Sequence, residues 1–389
     1  MKIRSYLVAK WPELLAIASL ALIALFVWDR FFPLKWMRRN SLVHLSCFAY
    51  RDVNRNGVYD LGDRPYAGLP VTMERPKGRP VKRESNLAGF ANFDMSEGNR
   101  KAEIYRPGDY TVRVEAPPDW DLTSSNSPQT ITIQKRDGTA VGLIAVRTIE
   151  PVGVAPRLRI SGSIEASLNS ANTILKAKPE AGAESIVPIT KAGSYSFPAT
   201  RGAWRLEFVS PNGNSMIRNL SVESYPVIVS RMSSNRLSFP PKSKLKIIGF
   251  DNLTTSDTLC EIPNRYEGFD WRNWVATHQK FYEANGFMNA TTSFEYSAYT
   301  SSGHPATLSS PTMFDFVGVF VTSVWPEGGH HDIIVKAWRN DTEAYHDRFR
   351  ATTAGPIYFD ADYRSVTRIE FSSAGYWQIA LDDLACRID

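Results

Sequence analysis

From residue 42 onward the chain runs in short stretches that alternate apolar and polar residues and break at Gly, Pro and Asn. That pattern puts every second side chain on one face, so it favours half-buried β-strands over helix. The clearest runs span residues 43–50, 70–74, 89–93, 109–115, 130–134 and 142–147. At 389 residues the chain exceeds one ordinary domain. Its 43% hydrophobic content is enough for packed cores.

One pattern occurs twice. Gly89-Phe90-Ala91-Asn92-Phe93 and the strand from Gly108 to Val114 are echoed by Gly193-Ser194-Tyr195-Ser196-Phe197 and the strand from Gly202 to Phe208. In each copy a turn glycine opens an aromatic strand, and a second glycine opens a longer alternating one. Two copies of one sandwich topology are expected. A linker at 150–156 and a Pro-rich hinge at 239–242 divide the chain. The expected domains are 1–40, a tail and transmembrane anchor; 41–150 and 151–240, two β-sandwiches; and 241–389, a jelly-roll-like sandwich. The fold class expected is all-β, with one N-terminal transmembrane helix followed by three tandem β-sandwich domains.

Residues 14–28 are uniformly apolar, with Trp11, Trp28, Phe31, Phe32 and Trp36 at their flanks. The run is shorter than the ~20 residues that usually span a bilayer, and the aromatic flanks extend it. Lys2, Arg4 and Lys10 also suit a signal peptide, but no small-x-small cleavage site follows, so an uncleaved anchor is expected. Arg30, Lys35, Arg38 and Arg39 read as lipid headgroup contacts rather than as a nucleic-acid site. The expected location is a bacterial inner membrane, single-pass, with the N-terminus cytoplasmic and the bulk periplasmic.

The densest polar motif runs from Asp52 to Asp63. Asp52, Asn54, Asn56, Asp60 and Asp63 fall at positions one, three, five, nine and twelve of a calcium loop, with Gly57 at six and the Val58 carbonyl at seven. Calcium is the expected cofactor, in a structural role. The competing reading is an Asx-rich turn without metal. Three cysteines exclude a disulfide framework. Cys260 and Cys386 lie near the two ends of the last domain, so a bridge between them is expected in an oxidising compartment; the other reading is three free thiols.

Residues 44–115 resemble the B-type repeat domains of serine-aspartate-repeat surface adhesins. The matching pieces are Phe48-Ala49-Tyr50-Arg51-Asp52, the loop through Asp63, Ala67-Gly68-Leu69-Pro70-Val71 and Ala88-Gly89-Phe90. The resemblance implies a prealbumin-like sandwich whose calcium stiffens a stalk. Two departures weaken the ion: Asp63 stands where a Glu is common, and Arg51, Arg55 and Arg64 add positive charge.

Residues 247–385 resemble a sandwich domain of extracellular proteins of the exosortase-sorted (PEP-CTERM) class, through Ile248-Gly249-Phe250-Asp251, Gly303-His304-Pro305-Ala306 and Ile379-Ala380-Leu381-Asp382-Asp383-Leu384. With no hydrophobic tail after Arg387, anchoring is expected at the N-terminus. The pattern is similar to galactose-binding-like jelly rolls, which implies a second calcium between Asp251 and Asp382 or Asp383. The alternative is a set of solvated strand-end aspartates.

No catalytic motif of the nucleophile-elbow, zincin, P-loop or Cys-x-x-Cys type occurs. His330-His331-Asp332 could hold a transition metal, although adjacent histidines on a strand face opposite ways. Carboxylates for glycan hydrolysis could come from Asp251, Glu261, Asp270, Asp360 and Asp382. Among the aromatic residues from Tyr266 to Phe287, Trp271, Trp274 and Tyr282 are candidates to bind a sugar or a protein, or to fill the core. The leading expectation is a non-enzymatic membrane-anchored docking subunit of an integral membrane complex. Carbohydrate binding is second and glycan hydrolysis third.

Overall fold

The computed structural model describes residues 43–136, 142–166, 168, 173–233, 244–254, 256, 258–282, 285–325 and 330–388. They form an all-β structure of sandwich-like sheets. Its described helices are one short α-turn, Asn285–Met288, and two 3-10 turns. Among the described residues no helix is long and apolar enough to cross a membrane, which corrects the single-pass inner-membrane placement. The folded mass follows the period-two alternation instead. The expected anchor at 14–28 and the hinge at 239–242 lie outside the described residues.

The first sandwich stacks two sheets. In one, Val43–Arg51 pairs antiparallel with Phe90–Met95 and parallel with Val152–Pro156. The other runs Val81–Glu84, Pro70–Glu74, Gly108–Val114, Gln129–Lys135 and Leu143–Ala145. Alternation places Val71, Met73, Tyr110, Val112, Ile131 and Ile133 inward against Leu45, Cys47, Ala91 and Phe93. Val152–Pro156, read as linker from its Gly and Pro, is a strand buried along its length.

The second sandwich uses the same pairing scheme. Arg159–Ile164 pairs antiparallel with Ser194–Pro198 and parallel with Val227–Met232. Its other sheet orders Ser185–Val187, Ile174–Pro179, Gly202–Val209 and Ser215–Val222. The repeated glycine-aromatic motif thus occupies equivalent strands in both copies.

The third unit is built on two long strands, Ala306–Ser323 and Ile357–Ser373, with Ile379–Ile388 beside the first. Its sheet does not stop at the boundary with the second sandwich. Val227, Ile228 and Val229 pair in parallel with Tyr358, Phe359 and Asp360. Beside this joint, Arg218 is 5% exposed and pairs with Asp360 (2.8 Å) and with Asp362. Ser230 Oγ donates to the Ala361 carbonyl (2.6 Å), and the Arg231 N–H donates to Asp347 (2.5 Å).

The first and third units meet directly. Asn289, buried, accepts from the Ala67 N–H and donates to the Ala67 carbonyl. Tyr66 donates its hydroxyl to the Ala354 carbonyl (2.8 Å). Trp120 lies so close to Gly355 that an added Cβ would sit 2.8 Å from its ring. The first and second touch through Ser224 Oγ and the Val53 carbonyl.

Opening and closing strands of the third unit do lie side by side, Lys244–Ile248 against Ile379–Ile388. Cys386 therefore faces Lys246, not Cys260. Cys260 sits on Leu259–Glu261, with Trp274–His278 and Tyr296–Thr300 between it and the closing strand. Three strand spacings are roughly 14 Å, about twice the Cα separation a disulfide spans. The expected bridge is corrected: all three thiols are free. Burial pushes the Cys47 and Cys386 thiols up, to about 12 and about 11.

Arg218→Ala would remove the buried guanidinium that Asp360 and Asp362 share at the second–third joint, while Asp362 keeps its pair with Arg364. A loss of about 3–5 kcal/mol is expected from breaking a buried pair. Scanning calorimetry should show one unfolding transition in the parent chain and a separate earlier one in the variant.

Candidate functional site

The three units enclose a cleft of about 760 Å³. Tyr66 and Trp120 come from the first, Arg157 and Arg159 from the start of the second, and Asn289 and Arg350 from the third. Concave sites at domain junctions are the usual place for ligands. Here the guanidinium groups already have partners. Arg157 pairs with Asp121 (2.8 Å), Arg350 with Asp332 (3.3 Å), and Arg159 donates to Ser196 Oγ. Six prolines line the rest of the wall, together with Asp119, Ser161, Thr352, Thr353 and Ile357.

The Asp52–Asp63 loop opens on the opening strand of the first sandwich. Gly57 takes a left-handed φ of +78°, and a Cβ there would press on the Thr123 carbonyl at 2.9 Å. Asp52 accepts from the N–H groups of Asn56 (3.2 Å) and Gly57 (2.7 Å). Asp63 accepts from Val53 (2.9 Å) and Asp60 (3.1 Å). The amides of Asn54 and Asn56 both donate to Asp60. Burial raises the Asp63 carboxyl above its ordinary range, with Asp52 and Asp60 adding to the rise and its two N–H donors opposing it. Burial, then the charges of Asp52, Asp63 and Asp60, push the Tyr50 hydroxyl up to about 12.

The three arginines expected to weaken a cation turn away from the loop carboxylates. Arg55 pairs with Asp121, Arg51 donates to the Thr291 carbonyl, and Arg64 donates to the Phe294 carbonyl. The loop carries the oxygen-bearing side chains of a calcium site, and the Asn54 and Asn56 amides donate to Asp60. Among the described residues no group of three or more His, Cys, Asp or Glu side chains is placed to hold a metal ion.

Asp251 and Asp382 do approach a common segment, residues 292–296. Asp382, fully buried, accepts from the Thr292 N–H and Oγ1, the Ser293 N–H and the Asp383 N–H. Asp251 accepts from the N–H groups of Glu295 and Tyr296. These carboxylates pin a loop. Burial and then the neighbouring Asp383 push the Asp382 carboxyl up to about 7, against its hydrogen bonds.

The aromatic candidates are interior. Trp274 stacks edge-on with Phe371 (5.8 Å) and donates its indole N–H to the Thr307 carbonyl; Trp271 packs against Phe250 and donates to the Tyr266 carbonyl. Both are buried, which leaves no indole face for a sugar. Tyr282 is half-buried between Phe287 and Tyr299. His331 stacks on Trp377, and Asp332 pairs with Arg348 and Arg350, so these two serve packing and charge pairing. Of the carboxylates weighed for hydrolysis, Asp360 is committed to Arg218 and Asp382 to Thr292 and Ser293.

No family model matches the chain. Serine-aspartate repeat-containing protein F of Staphylococcus epidermidis is 28% identical over 103 residues, 26% of this chain and 6% of that protein. The resemblance of the amino-terminal sandwich to adhesins of that type stands, and the chain spans only a small part of that relative's length. Among solved structures, the Bacillus anthracis TIE protein matches with a TM-score of 0.22 at 8% identity over 84% of this chain and 51% of that one. BcpA, the major pilin subunit of Bacillus cereus, matches at 0.21 and 8% over 83% and 99%. A carbohydrate-binding module of the β-sandwich superfamily gives 0.18 and 9% over 54% and 83%. Likenesses this low carry no argument of their own.

Sequence reasoning missed the residues that join the units, Arg51 above all. The signal was present: Arg51 shares the parity of Leu45, Cys47 and Ala49 on one strand, the inward face. Asn289 and Gly355 gave no comparable signal, because their roles depend on contacts with distant segments.

Asp382 binds its proton more tightly folded, at about 7, than at its ordinary 3.8. Its contribution to stability is therefore full below about pH 4 and is lost as pH rises toward 7. Melting temperature measured from pH 5 to 8 should fall in the parent chain, and Asp382→Asn should flatten that decline.

Proposed function

We propose that this chain is a non-enzymatic structural or docking module within a larger assembly. The observation that carries the reading is where its buried polar side chains are spent. Arg218, Asp360, Asn289 and Ser230 join sandwich to sandwich, which suits a rigid spacer that holds surfaces at fixed separation.

The docking surface we assign is the tip of the first sandwich. Phe48 supports Tyr59 and Phe90, each with ring centres 4.9 Å away, and Val58, Tyr59, Leu61 and Phe90 are exposed around them. Leu61 is fully exposed, at 102%. Apolar groups gathered at a loop tip suit a protein partner. Calcium bound by the loop would relieve the mutual repulsion of Asp52, Asp60 and Asp63 and stiffen the segment carrying this tip.

Native co-purification of the full chain should recover a stoichiometric partner. Tyr59→Ser with Leu61→Asp should lose it without lowering the melting temperature. A parent chain that stays solitary, or a variant that keeps its partner, contradicts the assignment. A glycan array probed with the same pair tests the carbohydrate reading, which would be favoured by binding lost in the variant.

Millimolar calcium should raise the melting temperature and a chelator should reverse the rise, since binding to the folded state stabilises it. Asp60→Asn should remove most of the response. An equal response in parent and variant would contradict a loop site.

A further inference from the structure

The opening strand of the first sandwich ends on Arg51, which is 4% exposed. Its Nη2 donates to the Thr291 carbonyl of the third unit at 3.0 Å. Its guanidinium carbon lies 5.6 Å from the ring centre of Tyr225, from the second unit, and that ring packs edge-on against Phe320 of the third at 5.2 Å. All three units therefore meet around this one cation. Nε and Nη1 of Arg51 have no hydrogen-bond partner.

Arg64 lies beside it, half-buried, and reaches the same segment through the Phe294 carbonyl (2.8 Å) and Thr291 Oγ1 (3.4 Å). Burial, and then the charge of Arg51, lower the Arg64 guanidinium below its ordinary range. Neither arginine forms an ion pair among the described residues. Asp382 and Asp251 act on Arg64 only from beyond ion-pair distance, and no acceptor meets Nε or Nη1 of Arg51; a buried cation without a paired counter-charge is unfavourable. The Tyr225 ring supports the face of the guanidinium but not the N–H groups in its plane.

We propose that Arg51 and Arg64 bind a small oxyanion, of the phosphate, sulfate or carboxylate type, where the three sandwiches meet. Guanidinium N–H groups match oxyanion geometry. Arg64 stands on the solvent side and Arg51 at the base. A macromolecule does not reach a group so deeply covered, so the ligand is small. Its position makes it a cement between units, tying the Val43–Arg51 strand to the 291–294 loop, rather than a substrate.

Thermal unfolding of the full chain tests this at constant ionic strength, with chloride replaced in steps by inorganic phosphate, sulfate or acetate. A general salting effect shifts parent and variants alike, so the difference between them is read. The parent should gain a saturable extra rise of about 3 °C. Arg51→Met should lose it, and Arg64→Gln should need roughly tenfold more anion. Phosphate or sulfate acting at lower concentration than acetate assigns a tetrahedral oxyanion; the reverse assigns a carboxylate. If Arg51→Met does not fold, calorimetric titration of phosphate into the parent and Arg64→Gln decides, with one-site binding weakened in the variant as the supporting result. The same anion response in parent and variants, or no saturable binding by the parent, overturns the proposal.

Discussion

Continuity of hydrogen bonding across the boundary between the second and third units is the constraint that the arrangement depends on. Once Val227, Ile228 and Val229 pair in parallel with Tyr358, Phe359 and Asp360, the backbone groups they share are satisfied only if the units stay in register. Arg218 then sits over Asp360 and Asp362, where separation would break a buried ion pair and leave the guanidinium without its carboxylates. The first sandwich is held against this pair by shorter-range devices. These are a buried amide on the Ala67 backbone, a tyrosine hydroxyl on the Ala354 carbonyl, and an indole against Gly355. None of them tolerates much displacement, because each is a directional bond or a contact with no spare volume.

The interior polar groups separate two kinds of work. Asp382 and Asp251 accept hydrogen bonds from the 292–296 backbone and shape a loop. That loop presents the Thr291 and Phe294 carbonyls to Arg51 and Arg64. A carboxylate layer on one side and a guanidinium layer on the other thus hold one segment between the first and third units.

Much of this was legible in the sequence, for local reasons. Alternation marked the strands because a sheet with one buried face imposes it, and the two glycine-aromatic motifs marked equivalent strands because both copies turn at the same place. The loop from Asp52 to Asp63 was readable because its side chains cap its own backbone. What escaped were properties of pairing at a distance. Val152–Pro156 reads as a linker until Val43–Arg51 is beside it. Cys260 and Cys386 bracket a domain in sequence while intervening strands hold them apart. Trp271 and Trp274 are the large aromatic residues that a recognition surface and a core both select, and contacts with Phe250 and Phe371 decide for the core.

Amide hydrogen exchange resolved along the chain tests most directly whether the three sandwiches behave as one body. The account predicts that the N–H groups that donate across the seams, those of Tyr358 and Arg231 at the second–third joint and of Ala67 at the first–third, exchange as slowly as those in the centres of the Pro70–Glu74 and Ala306–Ser323 strands. Exchange at those two seams that is orders of magnitude faster than in the strand centres would mean that the units move independently, and would contradict it.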